Sequence, residues 1–188
     1  MRPRRLLLVK HARPDLDPAR PAREWRLSLA GRADAARLAE RLATTRLSAI
    51  VSSTEPKALE TAAILGRALD VAVEPREGLH EHDRRDVGFL GESEFASRID
   101  ALFDRPEEVV FGVESAREAT MRFCAAVDEV VAERDGDLVI VSHGTVIALF
   151  AAARAGLDAR EVWRTLDLPS YIAFEVPGFR VSEIVAAV

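Results

Sequence analysis

Leu138-Val139-Ile140-Val141-Ser142-His143-Gly144-Thr145 is a short apolar run that closes on a histidine and a turn, and the helical pattern Val146–Ala155 follows it directly. The same grammar recurs along the chain. β-rich runs at Arg5–Lys10, Ala49–Ser52, Val71–Glu74 and Leu138–Ser142 alternate with helical patterns at Leu29–Ala43, Glu55–Leu69, Glu92–Phe103, Ala116–Arg134 and Val146–Ala155, with a short helix at Ala159–Leu166. Tyr171–Val176 and Arg180–Val185 read as a closing hairpin-like pair across Pro177-Gly178. Strands alternating with helices are the signature of an α/β fold, here a three-layer sandwich with a largely parallel central sheet flanked by helices. Ser115 with Glu118 forms a capping box for the longest helix.

The 188 residues suit a single domain spanning 1–188, a length at which about 70% of the unfolded chain's surface can be buried. With 48% apolar and 30% charged residues the composition is globular. A net charge of −5 argues against a general nucleic-acid binder, whose affinity depends on clustered positive charge. The start Met1-Arg2-Pro3-Arg4-Arg5-Leu6-Leu7-Leu8-Val9 imitates a signal peptide, but its apolar run is too short and His11 breaks it. No stretch approaches the length of a membrane span, so a soluble, cytoplasmic protein is expected. Cys124 is the only cysteine, which leaves no disulfide framework and no thiolate cage. Its place in a helical stripe with Phe123, Val127, Val130 and Val131 reads as a buried, inert thiol.

Lysine occurs only twice among 26 basic residues, at Lys10 and Lys57; the rest are arginine. Both lysines fall at strand-to-helix passages. In open α/β sheets ligands bind beyond the carboxyl ends of the strands, where helix N-termini present unpaired N–H groups. Lys10 and His11 end the first strand there, Ser52-Ser53-Thr54 ends the second ahead of Lys57, and His143 ends the strand 138–142. Helical side chains tilt toward their own N-terminus, so Lys57 can reach back to the sheet edge. One such histidine alone reads as a satisfied core residue; two at strand ends, with two ammonium groups, read as a phosphoryl-transfer site. A neutral imidazole at His11 can attack phosphorus while the cations stabilise charge on the equatorial oxygens.

Five segments in order resemble the histidine phosphatase superfamily, also called phosphoglycerate mutase-like. Leu7-Leu8-Val9-Lys10-His11-Ala12 is similar to its leading strand and Arg-His-Gly signature, and Leu27-Ser28-Leu29-Ala30-Gly31-Arg32-Ala33-Asp34-Ala35 to its Leu-Thr-x-x-Gly-x-x-Gln-Ala segment. Ser52-Ser53-Thr54-Glu55-Pro56-Lys57-Ala58-Leu59-Glu60-Thr61-Ala62 follows Ser-Ser-x-x-x-Arg-Ala-x-x-Thr-Ala. Gly112-Val113-Glu114-Ser115 resembles Gly-x-Glu-Ser, and Val141-Ser142-His143-Gly144 resembles the second-histidine segment. The resemblance implies that His11 is the phosphorylated nucleophile, that His143 lies in the phosphate pocket, and that Lys10 and Lys57 stand where the family has arginines. It makes Glu81, in Leu79-His80-Glu81-His82, the acid that protonates the leaving oxygen and then activates water; should Glu81 not serve, the nearby Asp83 is the next candidate.

Two departures bear on activity. Lysine is a point charge without arginine's planar fork, and Ala12 adds a Cβ where glycine would let the backbone approach a phosphate. Within the family resemblance, the compact chain, the helix that follows the Arg76–Gly91 loop directly and the continuation Arg13-Pro14-Asp15 after His11 are unlike the mutases, so phosphatase is expected, with water as acceptor and a small phosphorylated molecule or a phosphoprotein as substrate. The alternative is a non-catalytic phospho-ligand-binding module on the same fold. No cofactor or metal is expected: His80-Glu81-His82-Asp83 places two imidazoles at i and i+2, but further ligands are missing and Arg84-Arg85 follow. Arg84 and Arg85 read as a solvated pair or contacts for a second anionic group, Trp25 as a pocket wall or a packing residue, and Arg13 as a phosphate contact or a solvent-facing charge. The long irregular stretches Ala12–Leu27 and Arg76–Gly91 are expected to be functional, since loops of that length are uncommon in compact domains. Oligomeric state has no signal in the sequence.

Overall fold

The computed structural model describes residues 4–188; Met1–Pro3, which open the leader-like stretch, lie outside the described residues. Six strands, β1 (Arg4–Lys10), β2 (Leu47–Ser52), β3 (Val73–Pro75), β4 (Asp137–Ser142), β5 (Ser170–Val176) and β6 (Arg180–Val185), form one sheet in the order β3-β2-β4-β1-β5-β6. The pairs β3·β2, β2·β4 and β4·β1 are parallel, and β1·β5 and β5·β6 are antiparallel. The helices are α1 (Leu29–Leu42), α2 (Pro56–Leu69), α3 (Glu92–Asp104), α4 (Ala116–Ala132), α5 (Gly144–Ala155) and α6 (Ala159–Thr165). No helix among the described residues is long and apolar enough to cross a membrane.

The strand period of two divides the apolar side chains into two cores. Leu6, Leu8, Leu138 and Ile140 face Phe123 and Val127 of α4, Phe150 of α5, Ile99 of α3 and Val162 of α6. Leu7, Val9, Val139 and Val141 face Leu38 and Leu42 of α1 and Ala58, Ala62 and Leu65 of α2. Three layers result, and the central strands are continuous apolar runs because both of their faces are covered. Phe150 anchors the larger core through edge-to-face contacts with Phe123 at 5.9 Å and Phe174 at 5.5 Å.

Differences from the sequence reading have local causes. The third strand starts at Val73 and not Val71, because Asp70 takes a left-handed conformation at the end of α2 (φ 53°) and Val71 N–H is held by the Gly66 carbonyl. The fifth helix begins at Gly144, which makes His143 its N-cap. A 3-10 turn, Ala22–Glu24, lies within the long stretch after β1. The capping box is present, with Ser115 accepting from Glu118 N–H and the Glu118 carboxylate accepting from Ser115 N–H. Cys124 is half-buried where burial was expected, and desolvation raises its thiol pKa.

Candidate active site

Register brings the site together. Lys10 pairs with Ser142 across β1 and β4, and Ser52 pairs with Val141 across β2 and β4, so three strands end side by side. Two further main-chain bonds extend that edge, His11 N–H to Ser142 O (3.0 Å) and Ser53 N–H to Val141 O (2.9 Å). The backbone therefore fixes His11, Ser53 and His143 as neighbours before any side chain is considered.

The His11 and His143 rings meet at 5.1 Å between centroids, tilted by 64°. His11 Nδ1 lies 2.8 Å from the Ala12 carbonyl. A carbonyl only accepts, so Nδ1 carries the proton and the lone pair is on Nε2. Nε2 makes no hydrogen bond among the described residues. Burial first, then His143, Lys57 and Lys10, hold the His11 pKa well below the usual imidazole value, against the Ala12 bond. The His143 pKa is likewise held well below it, chiefly by burial and Lys57. His143 Nε2 stands 2.8 Å from Ser53 Oγ.

Ala12 is wholly buried; its N–H donates to Thr61 Oγ1 (3.0 Å), and its methyl group packs with Leu27 and Ala35. The extra Cβ that the sequence comparison marked as an obstacle is thus accommodated in a small apolar cluster.

Glu81 lies against the N-terminus of α5. Its carboxylate accepts from Thr145 N–H and Val146 N–H, both at 3.3 Å, and from His82 N–H at 2.9 Å, and Arg84 Nη2 approaches to 3.3 Å. Burial pushes its pKa up, but Arg84, His143 and the amide bonds outweigh that and keep it ionised far below the usual range. In this arrangement Glu81 is a proton acceptor.

Both lysines reach the same edge. Lys10 Nζ donates to Leu166 O at 2.7 Å, and burial lowers its pKa against the opposing pull of Glu81 and Asp167. Its stem lies against Gly144, where a Cβ would come within 3.1 Å of Lys10 Cε and 3.4 Å of Nζ. Lys57 is buried and donates to Ala22 O (2.8 Å) and to the Glu55 carboxylate. Its charge depresses both imidazoles. The expected set Lys10, His11, Lys57, Glu81 and His143 is therefore assembled in one place.

Other assignments change. Arg84 is not solvated: it donates to Thr145 Oγ1 (2.9 Å), stacks on Phe95 and Phe111 at 4.7 and 5.5 Å, and pairs with Glu81. Arg85 is exposed and pairs with Asp83, which turns that carboxylate toward Arg85. Trp25 is half-buried, bonded through Nε1 to Asp17 O (2.9 Å), with its ring 6.4 Å from that of Phe89. Arg13 is exposed and lies 3.9 Å from Asp34. The His82 ring has other partners than the Glu81 carboxylate: its Nε2 is 2.8 Å from the Glu114 carbonyl and its ring lies tilted against Phe111. Among the described residues no group of three or more His, Cys, Asp or Glu side chains is placed to hold a metal ion.

Three residues escaped the sequence reading. Glu55 lies between Lys57 and His143; Arg122 and Glu114 bracket the loop that carries Glu81. Glu55 and Glu114 stand inside segments that carry the family resemblance, which gave them no role.

The model of the histidine phosphatase superfamily (branch 1) matches residues 6–180. No curated protein matches the chain. Among solved structures, a mycobacterial glucosyl-3-phosphoglycerate phosphatase in complex with VO3 is 26% identical, with 98% of this chain and 100% of that one covered and a TM-score of 0.77. The YhfR protein of Bacillus stearothermophilus is 26% identical, with 97% and 95% covered and a TM-score of 0.75. A phosphoserine phosphatase of Entamoeba histolytica, in complex with 3-phosphoglyceric acid, shares the fold at 17% identity, with 96% of each chain covered and a TM-score of 0.77.

Proposed function

The chain belongs to the histidine phosphatase superfamily, and from that premise we propose that it hydrolyses small phosphomonoesters through a phosphohistidine formed on His11. The observation that carries this reading is the His11 ring, with Nδ1 anchored on the Ala12 carbonyl, Nε2 unprotonated, and a pKa too low for the ring to be charged near neutrality. A nucleophile needs that free lone pair. In the first step Nε2 attacks phosphorus, the bond from phosphorus to the ester oxygen breaks, and the leaving oxygen takes a proton from Glu81. In the second, Glu81 takes a proton from water, the hydroxide attacks phosphorus, and the N–P bond breaks to release orthophosphate and restore His11.

Glu81 must be protonated for the first step, although it is ionised in the resting site. The proton enters with the substrate, taken from solvent or from a phosphoryl monoanion, as the arriving negative charge raises the carboxyl pKa. Lys10 and Lys57 offset the charge of the transferring group, lysines acting where arginines stand in the family pattern, and the neutral His143 beside His11 can only contribute a hydrogen bond. Water serves as acceptor, in keeping with the hydrolases among the similar structures, two of which are named for phosphoglycerate-type or phosphoserine substrates. These phosphatases weigh against the non-catalytic module. A small phosphorylated metabolite suits the pocket better than a phosphoprotein, because the nucleophile is nearly buried.

His11→Ala tests the reading. Its turnover of a phosphomonoester panel should vanish with the fold intact by circular dichroism, and mass spectrometry of the wild-type protein during turnover should find an 80-Da adduct, about the mass of one added phosphoryl group, on the His11 peptide. Retained turnover in His11→Ala overturns the mechanism.

A further inference from the structure

Glu55 is the N-cap residue of α2, yet its side chain makes no capping bond. Aspartate at that position ordinarily accepts from the first free amides of the helix, whereas glutamate, one methylene longer, is free to reach elsewhere. Here the side chain turns into the phosphate pocket. Its Oε2 is the acceptor of the Lys57 ammonium, its Oε1 accepts from Glu81 N–H at 3.0 Å, and the same Oε1 lies 3.7 Å from His143 Nε2. Only 11% of the side chain is exposed, so these contacts are made with little water to screen them. One mostly buried carboxylate thus lies against a pocket cation, the second histidine and the main chain of the proposed acid.

An anion so placed occupies the coordination that a phosphoryl oxygen would seek. Lys57 has three N–H donors, and two are already committed, to Glu55 and to Ala22 O. A second anion at Lys57 meets the Glu55 charge at close range unless that carboxylate swings away. We infer that Glu55 is a resident competitor in the phosphate pocket: it neutralises Lys57 between turnovers, must be displaced for a phosphoryl group to bind there, and returns to expel orthophosphate. Glu55 is then a determinant of how weakly the enzyme holds its own product, and it favours substrates whose remaining atoms supply the affinity that the phosphoryl group alone lacks. The inference rests on the pocket assignment proposed above.

The test measures anion binding without turnover. Orthophosphate and, separately, orthovanadate are titrated by calorimetry into wild type, Glu55→Gln, Glu55→Ala, Lys57→Met and the Glu55→Gln/Lys57→Met double variant. Glutamine keeps the size and can still accept from Glu81 N–H, so Glu55→Gln guards against a fold defect in Glu55→Ala. Both single Glu55 variants should bind orthophosphate at least about tenfold more tightly than wild type, with product inhibition strengthened by the same factor, and the gain should vanish in the double variant. Unchanged or weaker binding in both Glu55 variants, or a gain that survives the loss of Lys57, overturns the inference. A wild type that hydrolyses phosphomonoesters while its Glu55 variants gain no affinity refutes only the role of Glu55. A wild type that neither turns over nor binds orthophosphate refutes the phosphate pocket, and the inference with it.

Discussion

Arg122 grips Glu114 with two bonds, Nη2 to Oε1 at 2.6 Å and Nε to Oε2 at 3.2 Å, and spends its other N–H groups on the loop that carries Glu81. Nη1 donates to the carbonyls of Gly78 (2.8 Å) and His80 (3.0 Å), and Nη2 to that of Glu81 (3.2 Å). Glu114 completes the bracket by accepting from Asp83 N–H at 2.8 Å. A loop without regular structure has main-chain groups that need partners, and here one guanidinium from α4 supplies three of them.

Arg122→Leu should therefore cost stability and misplace the acid. Losing one member of a mostly buried pair leaves Glu114 and three carbonyls short of donors, and about 2–4 kcal/mol is the expected loss in chemical denaturation. Lysine has no planar fork, so Arg122→Lys should recover little of it. Turnover of alkyl phosphates should fall more than that of aryl phosphates. A variant with wild-type stability and an unaltered preference would show that the bracket does not position Glu81.

The strand-end histidines were legible because an apolar run, a turn and a histidine are all local signals, and parallel register then forces their convergence. The six strands and six helices were found to within a few residues for the same reason. Glu55 was not legible. Nothing in Thr54-Glu55-Pro56 says that an N-cap carboxylate will abandon its helix, since that depends on Lys57, His143 and Glu81 arriving from three other places in the fold. Arg84 read as one of a solvated pair or as a contact for a second anionic group, because the aromatic rings beneath it, Phe95 and Phe111, come from other segments of the chain.

Glu81→Gln should separate substrates by leaving group. Glutamine cannot donate the proton that an alkoxide needs, so alkyl phosphates should slow on the order of 10²–10⁴-fold. Aryl phosphates with acidic leaving groups, which depart unprotonated, should lose less than about tenfold in their first step. Steady-state rates on a leaving-group series measure the contrast, and equal losses would assign the acid elsewhere.

All four histidines, His11, His80, His82 and His143, have pKa values lowered in the fold, each chiefly by burial. The unfolded chain titrates them near 6.5. Between that value and the lower folded ones, the unfolded state binds more protons, so stability rises with pH through this window and falls as acid is added below about 6.5. Denaturation midpoints at pH 7.5 and 5.5 should show the loss. The acid limb of kcat/KM should also lie well below pH 6.5, because His11 stays neutral there. A limb at 6.5 would mean that the nucleophile titrates as an ordinary imidazole.

Gly144 opens α5 in ordinary helical conformation, and its missing side chain is where the Lys10 stem lies. A methyl group added there would stand 3.1 Å from Lys10 Cε and 3.4 Å from Nζ, closer than side chains settle, and the flexible end of the lysine is what can give way. Gly144→Ala should leave stability within about 1 kcal/mol, since alanine suits a helix at least as well as glycine. The ammonium group, however, is pushed off its place on the Leu166 carbonyl. A small displacement of a charge aimed at the reacting group is costly, and turnover should fall roughly tenfold. Lys10→Met, which removes the charge altogether, should fall further, on the order of 10²–10³-fold, with vanadate inhibition weakened. In the Gly144→Ala/Lys10→Met double variant the two losses should not add, because the methyl group acts through a charge that is already gone. Additive losses would show that Gly144 acts independently of Lys10, through the α5 amides that hold Glu81.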